Sequence, residues 1–233
     1  ITQPGLERII EFEIEHLNEM GDLCRKRLIV ELMGKHSNII FCDDKNMIID
    51  SIKHVSAQIS SVREVLPGRE YFIPQTMDKA DPLSCDFETF SSHVFSKQIA
   101  LSKAIYTGLT GISPVIAEEL CYKSGIESTL PADECPAEKK QQLFKVFCDL
   151  TDNIKSGHFM PNIIFKGNEP VEFGSVELTF YSDPKKGIFR AERYDTISEV
   201  LNSYYATRNA ISRIRQRSVD LRLVKQKSAT VAL

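Results

Sequence analysis

Residues 8–17, RIIEFEIEHL, alternate apolar and polar side chains, so Ile10, Phe12 and Ile14 fall on one face of an extended segment. Residues 27–33, RLIVELM, do the same with Leu28, Val30 and Leu32. A period of two commits both runs to strands, because a helix would scatter those residues around its circumference. The break between them, at Met20, Gly21 and Asp22, is only long enough for a turn. A third run covers Ile39–Cys42, a turn follows at Asp43, Asp44, Lys45 and Asn46, and a fourth run starts at Met47 and continues towards Val55. Short strands joined by short turns predict an antiparallel meander. Pro67 and Gly68 mark a further turn, and the stretch from Pro74 to Pro82 reads as a linker.

Helical spacing then takes over. Phe87–Phe95 and Lys97–Tyr106 predict helices. Ser113–Lys123 predicts another, with Ser113 as N-cap, Pro114 at the first helical position and Gly125 as terminator. Pro136 to Ile154 is a fourth, closed by Gly157. Strand character returns at Asn162–Lys166 and Val176–Tyr181, the segment 184–187 is a turn, and a long helix starts at Thr196 or Ser198. The class is α+β: an antiparallel sheet, a helical insertion, returning strands and a C-terminal long helix. The segment boundaries are 1–84, 85–158, 159–194 and 195–233.

Bulk chemistry narrows the function classes. The 233 residues carry a formal net charge of −3, so any polyanion site has to be local. No apolar run approaches the ~20 residues of a membrane span, and no signal-peptide pattern is present. The six cysteines are scattered without a CxxC pair, which predicts free thiols in a reducing compartment rather than zinc or disulfides. Neither a metal nor another cofactor is expected. The chain opens on Ile1 with a strand almost under way, and its last helix runs to Leu233, so a fragment of a larger protein is expected.

Four features carry candidate chemistry. In Lys35, His36, Ser37 and Asn38, catalysis would require a third group to orient the imidazole. A metal would require a partner spacing that a lone histidine lacks. A hairpin turn requires neither: Gly34 and Asn38 supply positive φ, and Ser37 and Asn38 cap backbone groups. In TGLTGISPVIAEEL (107–120), Gly111 and Ser113 open a helix as in the hairpin of a helix-hairpin-helix motif, where backbone N–H groups and the helix dipole favour phosphate. Ser113 stands where that hairpin usually has a second glycine, and a ligand-free αα-hairpin fits the spacing too. The long helix carries Arg208, Arg213, Arg215, Arg217, Arg222, Lys225 and Lys227 beside an apolar stripe of Ile197, Leu201, Tyr204, Ile211 and Ile214. It reads either as a basic arm meeting RNA backbone, through residues such as Arg213 and Arg217, or as a coiled-coil arm with solvated charges. The Glu7-Arg8 pair at the start of the first strand is, by its pattern alone, ordinary surface charge.

The ordered string VELMGKHSNIIFCD, IIDSIKHV, REVLPGREY and GLTGISPVIAEEL resembles the NFACT family, the bacterial fibronectin-binding-protein-A-like proteins and their eukaryotic relatives. The resemblance covers most of the chain, is most specific at GKHSN, and extends to SEVLNSYYATR, which resembles the entry to the family's coiled-coil arm. It implies the latter part of an NFACT-N domain, similar to the N-terminal half of formamidopyrimidine glycosylases, then the helix-hairpin-helix insert and the start of the coiled coil. The glycosylase nucleophile would lie at a true N-terminus, so no enzymatic activity is implied. It implies a cytoplasmic factor that binds large ribosomal subunits blocked by a nascent-chain–tRNA complex and recruits alanyl-tRNA for untemplated alanine tailing. The family's older label implies an alternative, a cell-surface adhesin binding fibronectin. The family commonly has an Asp-Arg pair after Gly-Leu, tied to tRNA. This chain reads Gly5, Leu6, Glu7, Arg8: the arginine matches, and the acid is one methylene longer. The resemblance thus makes Glu7 and Arg8 tRNA-binding candidates, with Lys35, His36, Gly111, Ser113, Arg213 and Arg217 as candidates for RNA backbone.

Overall fold

The computed structural model describes residues 1–73 and 79–231, with side chains through residue 220. Most of the expected linker, 74–78, and the side chains of Arg222, Lys225 and Lys227 lie outside the described residues. The chain divides into two compact units: residues 1–113 with 131–134, and residues 114–130 with 135–233.

The first unit is built on the expected meander. β1 (Ile9–Leu17), β2 (Leu23–Glu31), β3 (Asn38–Cys42) and β4 (Ile48–Ser51) form one antiparallel sheet in sequence order. β4 stops at Ser51, and Val55 instead bridges Val65. The alternation holds, but the core lies on the face opposite the more apolar stripe. Ile9, Ile29, Ile40, Cys42 and Ile48 are buried with Val65 and Tyr71, whereas Ile10, Phe12, Leu28 and Val30 are only half-buried and Ile14 and Leu32 are exposed. The half-buried face still pairs apolar with apolar: Ile10 with Val30, Phe12 with Leu28, and Leu28 with Phe41. Burial pushes the Cys42 thiol up to about 11, which keeps it a neutral core group. No disulfide forms among the described residues.

The turn chemistry is specific. Asp43 Oδ1 accepts the N–H groups of Lys45 (2.9 Å) and Met47 (2.8 Å), and Asn46 takes the positive φ of that hairpin. α1 (Phe87–Val94) is N-capped by Asp86, whose carboxylate accepts Thr89 N–H. α2 spans Leu101–Gly108 rather than beginning at Lys97. The preceding residues are drawn into a bridge: Ala100 pairs with Pro131, and Ala132 N–H donates to Ile99 O.

In the second unit, α3 (Pro114–Lys123) starts at the expected proline and Gly125 follows in the left-handed region. α4 (Ala137–Ser156) ends on Gly157, also left-handed. β5 (Asn162–Lys166) is the centre of a separate three-stranded sheet, flanked by β6 (Glu169–Gly174) and β7 (Arg190–Arg193), neither of which the sequence pattern predicts. The strand expected at Val176–Tyr181 does not form. Leu178 and Phe180 are buried in alternation, but the backbone closes into a 3-10 turn over Thr179–Ser182. One of its N–H groups finds a side chain instead of a strand: the buried Glu119 carboxylate accepts Phe180 N–H at 2.8 Å, and also the Thr179 hydroxyl.

α5 (Ile197–Val231) is the expected long helix, anchored by Tyr204 of the expected stripe and by Val200 outside it. Val200 and Tyr204 are buried against Ile163 and Phe165, and the Tyr204 and Phe173 rings lie 4.7 Å apart. Ile197, Leu201 and Ile214 are exposed. No helix among the described residues is long and apolar enough to cross a membrane.

Candidate functional site

Pro4 O accepts Glu7 N–H in a tight turn in which Gly5 takes a positive φ, and Gln3 Nε2 donates to Glu7 O. The turn presents Glu7 half-buried and Arg8 exposed at the mouth of β1. Neither side chain makes an ion pair among the described residues. The backbone under them is fixed from two sides. Leu32 N–H donates to Arg8 O at 2.8 Å, so the end of β2 holds the arginine in place. Leu6 packs against Gly111 so closely that a Cβ on residue 111 would sit 2.4 Å from Leu6 Cβ and 2.6 Å from Leu6 O. Gly111 also has φ +73°, which disfavours any L side chain.

Two regions far apart in sequence, the Glu7-Arg8 turn and the Gly111 turn, are therefore one surface of the first unit. Ser113, the last residue of that unit's first segment, lies two residues beyond Gly111. Thr110 N–H donates to Ala80 O at 3.0 Å, so it is engaged within the chain and does not serve a phosphate.

The GKHSN segment forms a 3-10 turn over Gly34–His36. Gly34 takes the expected positive φ. Asn38 does not; it is extended and buried in β3. Its amide is used instead as a clamp: Asn38 Nδ2 donates to Lys53 O (2.9 Å), and Oδ1 accepts Lys53 N–H (3.0 Å). Ser37 Oγ accepts Met33 N–H at 2.9 Å, a turn cap with no tie to the His36 ring. Lys35 and His36 are exposed. His36 and His54 line the same cleft, but among the described residues no group of three or more His, Cys, Asp or Glu side chains could hold a metal ion.

Below this turn sits a buried charge that pattern reasoning passes over. Glu31 is 1% exposed. Both its oxygens accept from Arg63 Nη2, and one accepts the Tyr71 hydroxyl at 3.0 Å. Arg63 also donates to Phe72 O and lies over the Tyr71 ring. Burial, and then the Glu31 carboxylate, raise the Tyr71 phenol above its ordinary range. The signal was present: Glu31 has the parity of Ile29, the buried face of β2. Leu32, whose N–H holds Arg8 O, is 52% exposed, although its place in the apolar stripe gives no sign of that role.

Arg213 and Arg217 belong to the second unit, are exposed, and make no ion pair among the described residues. Their neighbours are committed: Arg208 donates to Tyr204 Oη (2.9 Å) and Arg215 to Glu169 (2.7 Å).

The family profile described as NFACT N-terminal and middle domains matches residues 1–230. The chain belongs to the NFACT family. Among NFACT proteins, it is 35% identical over 222 residues to the "Rqc2 homolog RqcH" of Bacillus subtilis (strain 168), covering 95% of this chain and 36% of that protein. It is 27% identical to the protein of the same name from Streptococcus suis (strain 05ZYH33), covering 95% and 35%. The chain thus spans about a third of the length of these curated relatives. The fold resembles "the fibrinogen binding protein from Staphylococcus aureus" (TM-score 0.68, 24% identity, 88% of this chain and 68% of that one). It also resembles the N-terminal region of the "fibronectin/fibrinogen-binding protein from Streptococcus suis" (TM-score 0.62, 26% identity, 88% and 66%).

Proposed function

We propose that this NFACT chain is the tRNA-engaging part of a ribosome-associated quality-control factor and is not an enzyme. The observation that carries the reading is Arg8. It is an exposed guanidinium with no carboxylate partner among the described residues, and its backbone is held by Leu32 N–H and by the seating of Leu6 on Gly111. With the backbone already fixed, only the arginine side chain has to be ordered when the guanidinium meets phosphate or a base edge. The name shared by the relatives supports the same direction.

In this reading the factor works in the cytoplasm on large ribosomal subunits obstructed by a nascent-chain–tRNA complex. It recruits alanyl-tRNA for alanine tailing, with Glu7 and Arg8 at the tRNA. Lys35, His36, the Gly111–Ser113 turn, Arg213 and Arg217 offer further contacts to RNA backbone.

Replacing Glu7 and Arg8 by alanine in the full-length protein should abolish co-purification of alanyl-tRNA. The arginine alone accounts for a loss of about tenfold or more in tRNA affinity, the scale of one charge-assisted hydrogen bond. Undiminished retention of tRNA by the double variant would defeat the assignment.

The name of the Streptococcus suis neighbour, a fibronectin/fibrinogen-binding protein, supports a second reading, an adhesin that binds fibronectin at the cell surface. Biotinylation of intact cells separates the two: labelling at the level of a secreted protein would support adhesion, and protection of the protein would support the cytoplasmic role.

A further inference from the structure

Within the second unit, α3 and α4 line a cleft of about 370 Å³, inside the ~300–1,000 Å³ range of ligand sites. α3 contributes Ile116 and Leu120, and α4 contributes Val146 and Leu150; each pair is four residues apart and so shares one helix face. Met160 and Val176 complete the apolar lining. The walls are tied together within the chain. Asn162 Nδ2 donates to Met160 O (2.8 Å) and Val176 O (2.7 Å), and Met160 N–H donates to Ser175 O (2.9 Å). The buried Glu119 carboxylate ties α3 to the Thr179–Ser182 turn. Exposed apolar surface continues past the cleft: Met160 is 46% exposed, and Phe159 before it 48%. A preformed apolar groove between helix faces is the geometry that receives an amphipathic helix.

The charge in the lining is mostly negative. Three carboxylates, of Glu119, Asp149 and Glu177, stand against one ammonium, that of Lys123. Lys123 Nζ is committed to Glu119 at 3.3 Å. Glu177 pairs with Arg193, whose side chain is exposed on β7 and outside the lining. His158 Nδ1 lies 2.8 Å from the Ser156 hydroxyl. Asp149 makes no ion pair among the described residues. A carboxylate without a cation beside apolar side chains favours a partner that carries a cation within an apolar sequence, and disfavours an acidic one.

We propose that this cleft docks a basic amphipathic helix of a partner protein. Its apolar side chains would enter between Ile116, Leu120, Val146 and Leu150, and its arginine or lysine would meet Asp149. The site uses none of the residues of the tRNA reading and does not depend on it.

The test titrates the full-length protein, methyl-labelled at methionine, with two fluorescent helical peptides. Both carry leucine along one face; one has arginine on the flanks and the other glutamate. Nuclease treatment beforehand keeps co-purifying RNA from capturing the arginine peptide. The Met160 methyl signal, assigned by its loss in Met160→Leu, should shift when the arginine peptide is added. By anisotropy, the glutamate peptide should bind about tenfold more weakly or worse, the scale of one charge-assisted contact. Asp149→Lys should weaken the arginine peptide by about tenfold or more, and Asp149→Asn by less. Asp149 is exposed, and unchanged methyl signals elsewhere report that the fold is intact. Asp44→Lys makes the same charge change at an exposed position of the first unit and should leave the affinity unchanged. Glu7→Ala/Arg8→Ala should leave it unchanged too, so failure here and failure of the tRNA reading are told apart. Equal binding of the two peptides, no Met160 shift at saturation, or equal losses in Asp149→Lys and Asp44→Lys would overturn the proposal. So would a Met160 shift that grows with protein concentration in the absence of peptide, because a second copy of the chain would then be the occupant.

Discussion

Glu31→Ala is expected to destabilise the first unit by roughly 3–5 kcal/mol, the cost of breaking a buried ion pair from one side. The carboxylate is 1% exposed and accepts three donations from two partners. Removing it leaves the Arg63 side chain, itself only 11% exposed, with its charge uncompensated and the Tyr71 hydroxyl without its acceptor. The loss is therefore mostly the penalty on the groups left behind, not the net worth of the pair. That distinction can be measured. Replacing the set together, as Glu31→Leu, Arg63→Met and Tyr71→Phe, removes every orphan. It should cost much less than Glu31→Ala alone, because an apolar set of similar volume fills the same space. Urea unfolding reads both: the single variant should lower the midpoint with little change in slope, and the triple variant should recover most of it. A triple variant as unstable as the single one would show that the ion pair itself contributes the stability.

The second large effect is at Gly111. Adding one methyl group there requires a positive φ that alanine disfavours, and places the new carbon 2.4 Å from Leu6 Cβ and 2.6 Å from Leu6 O. Backbone strain and overpacking each cost about 1–3 kcal/mol, so Gly111→Ala should destabilise by roughly 2–6 kcal/mol. Gly34 provides the internal control. Its φ is also positive, at +58°, but nothing lies within 4 Å of an added Cβ. Gly34→Ala should therefore show the strain alone, roughly 1–2 kcal/mol. The variants should differ in function as well. At Gly111 the displaced partner is the backbone one residue before Glu7, so tRNA retention should fall even in preparations that remain folded. Changing Leu6 to a smaller residue should rescue little, because the Leu6 carbonyl stays in place. Equal stability losses for the two glycine variants would refute the close approach.

Local features of this chain were readable before its long-range ones. The strands β1 to β4, the turns at Gly21 and Asp43, and the ends of α3 and α4 follow from period, proline and glycine, which act within a few residues. Which face of the meander is buried did not follow. Within β1 and β2, Ile10, Phe12, Leu28 and Val30 outnumber the buried Ile9 and Ile29, and the buried face is the one covered by Val65 and Tyr71, distant in sequence. Val176–Tyr181 has the alternation of a strand, but Glu119, about sixty residues earlier, satisfies its backbone and closes it into a turn. β6, with Pro170 and Gly174, and β7, with the charged run Arg190–Arg193, have weak intrinsic strand character and form by pairing with β5. At the site, Glu7, Arg8 and Gly111 were each identifiable from the resemblance, but their union through Leu6 requires the fold. Asn38 shows the same limit within one residue. Its side-chain capping was expected, and its partner, the backbone of Lys53, lies across the hairpin.

The central claim is that the surface around Arg8 meets tRNA. Ultraviolet cross-linking in cells producing the full-length protein tests it most directly, by sequencing the captured RNA and identifying the cross-linked peptides. tRNA should be captured through peptides containing Arg8 or Leu32, and Glu7→Ala/Arg8→Ala should remove those cross-links while leaving the protein folded and abundant. No tRNA on these peptides, or tRNA cross-links that survive the double replacement unchanged, would contradict it.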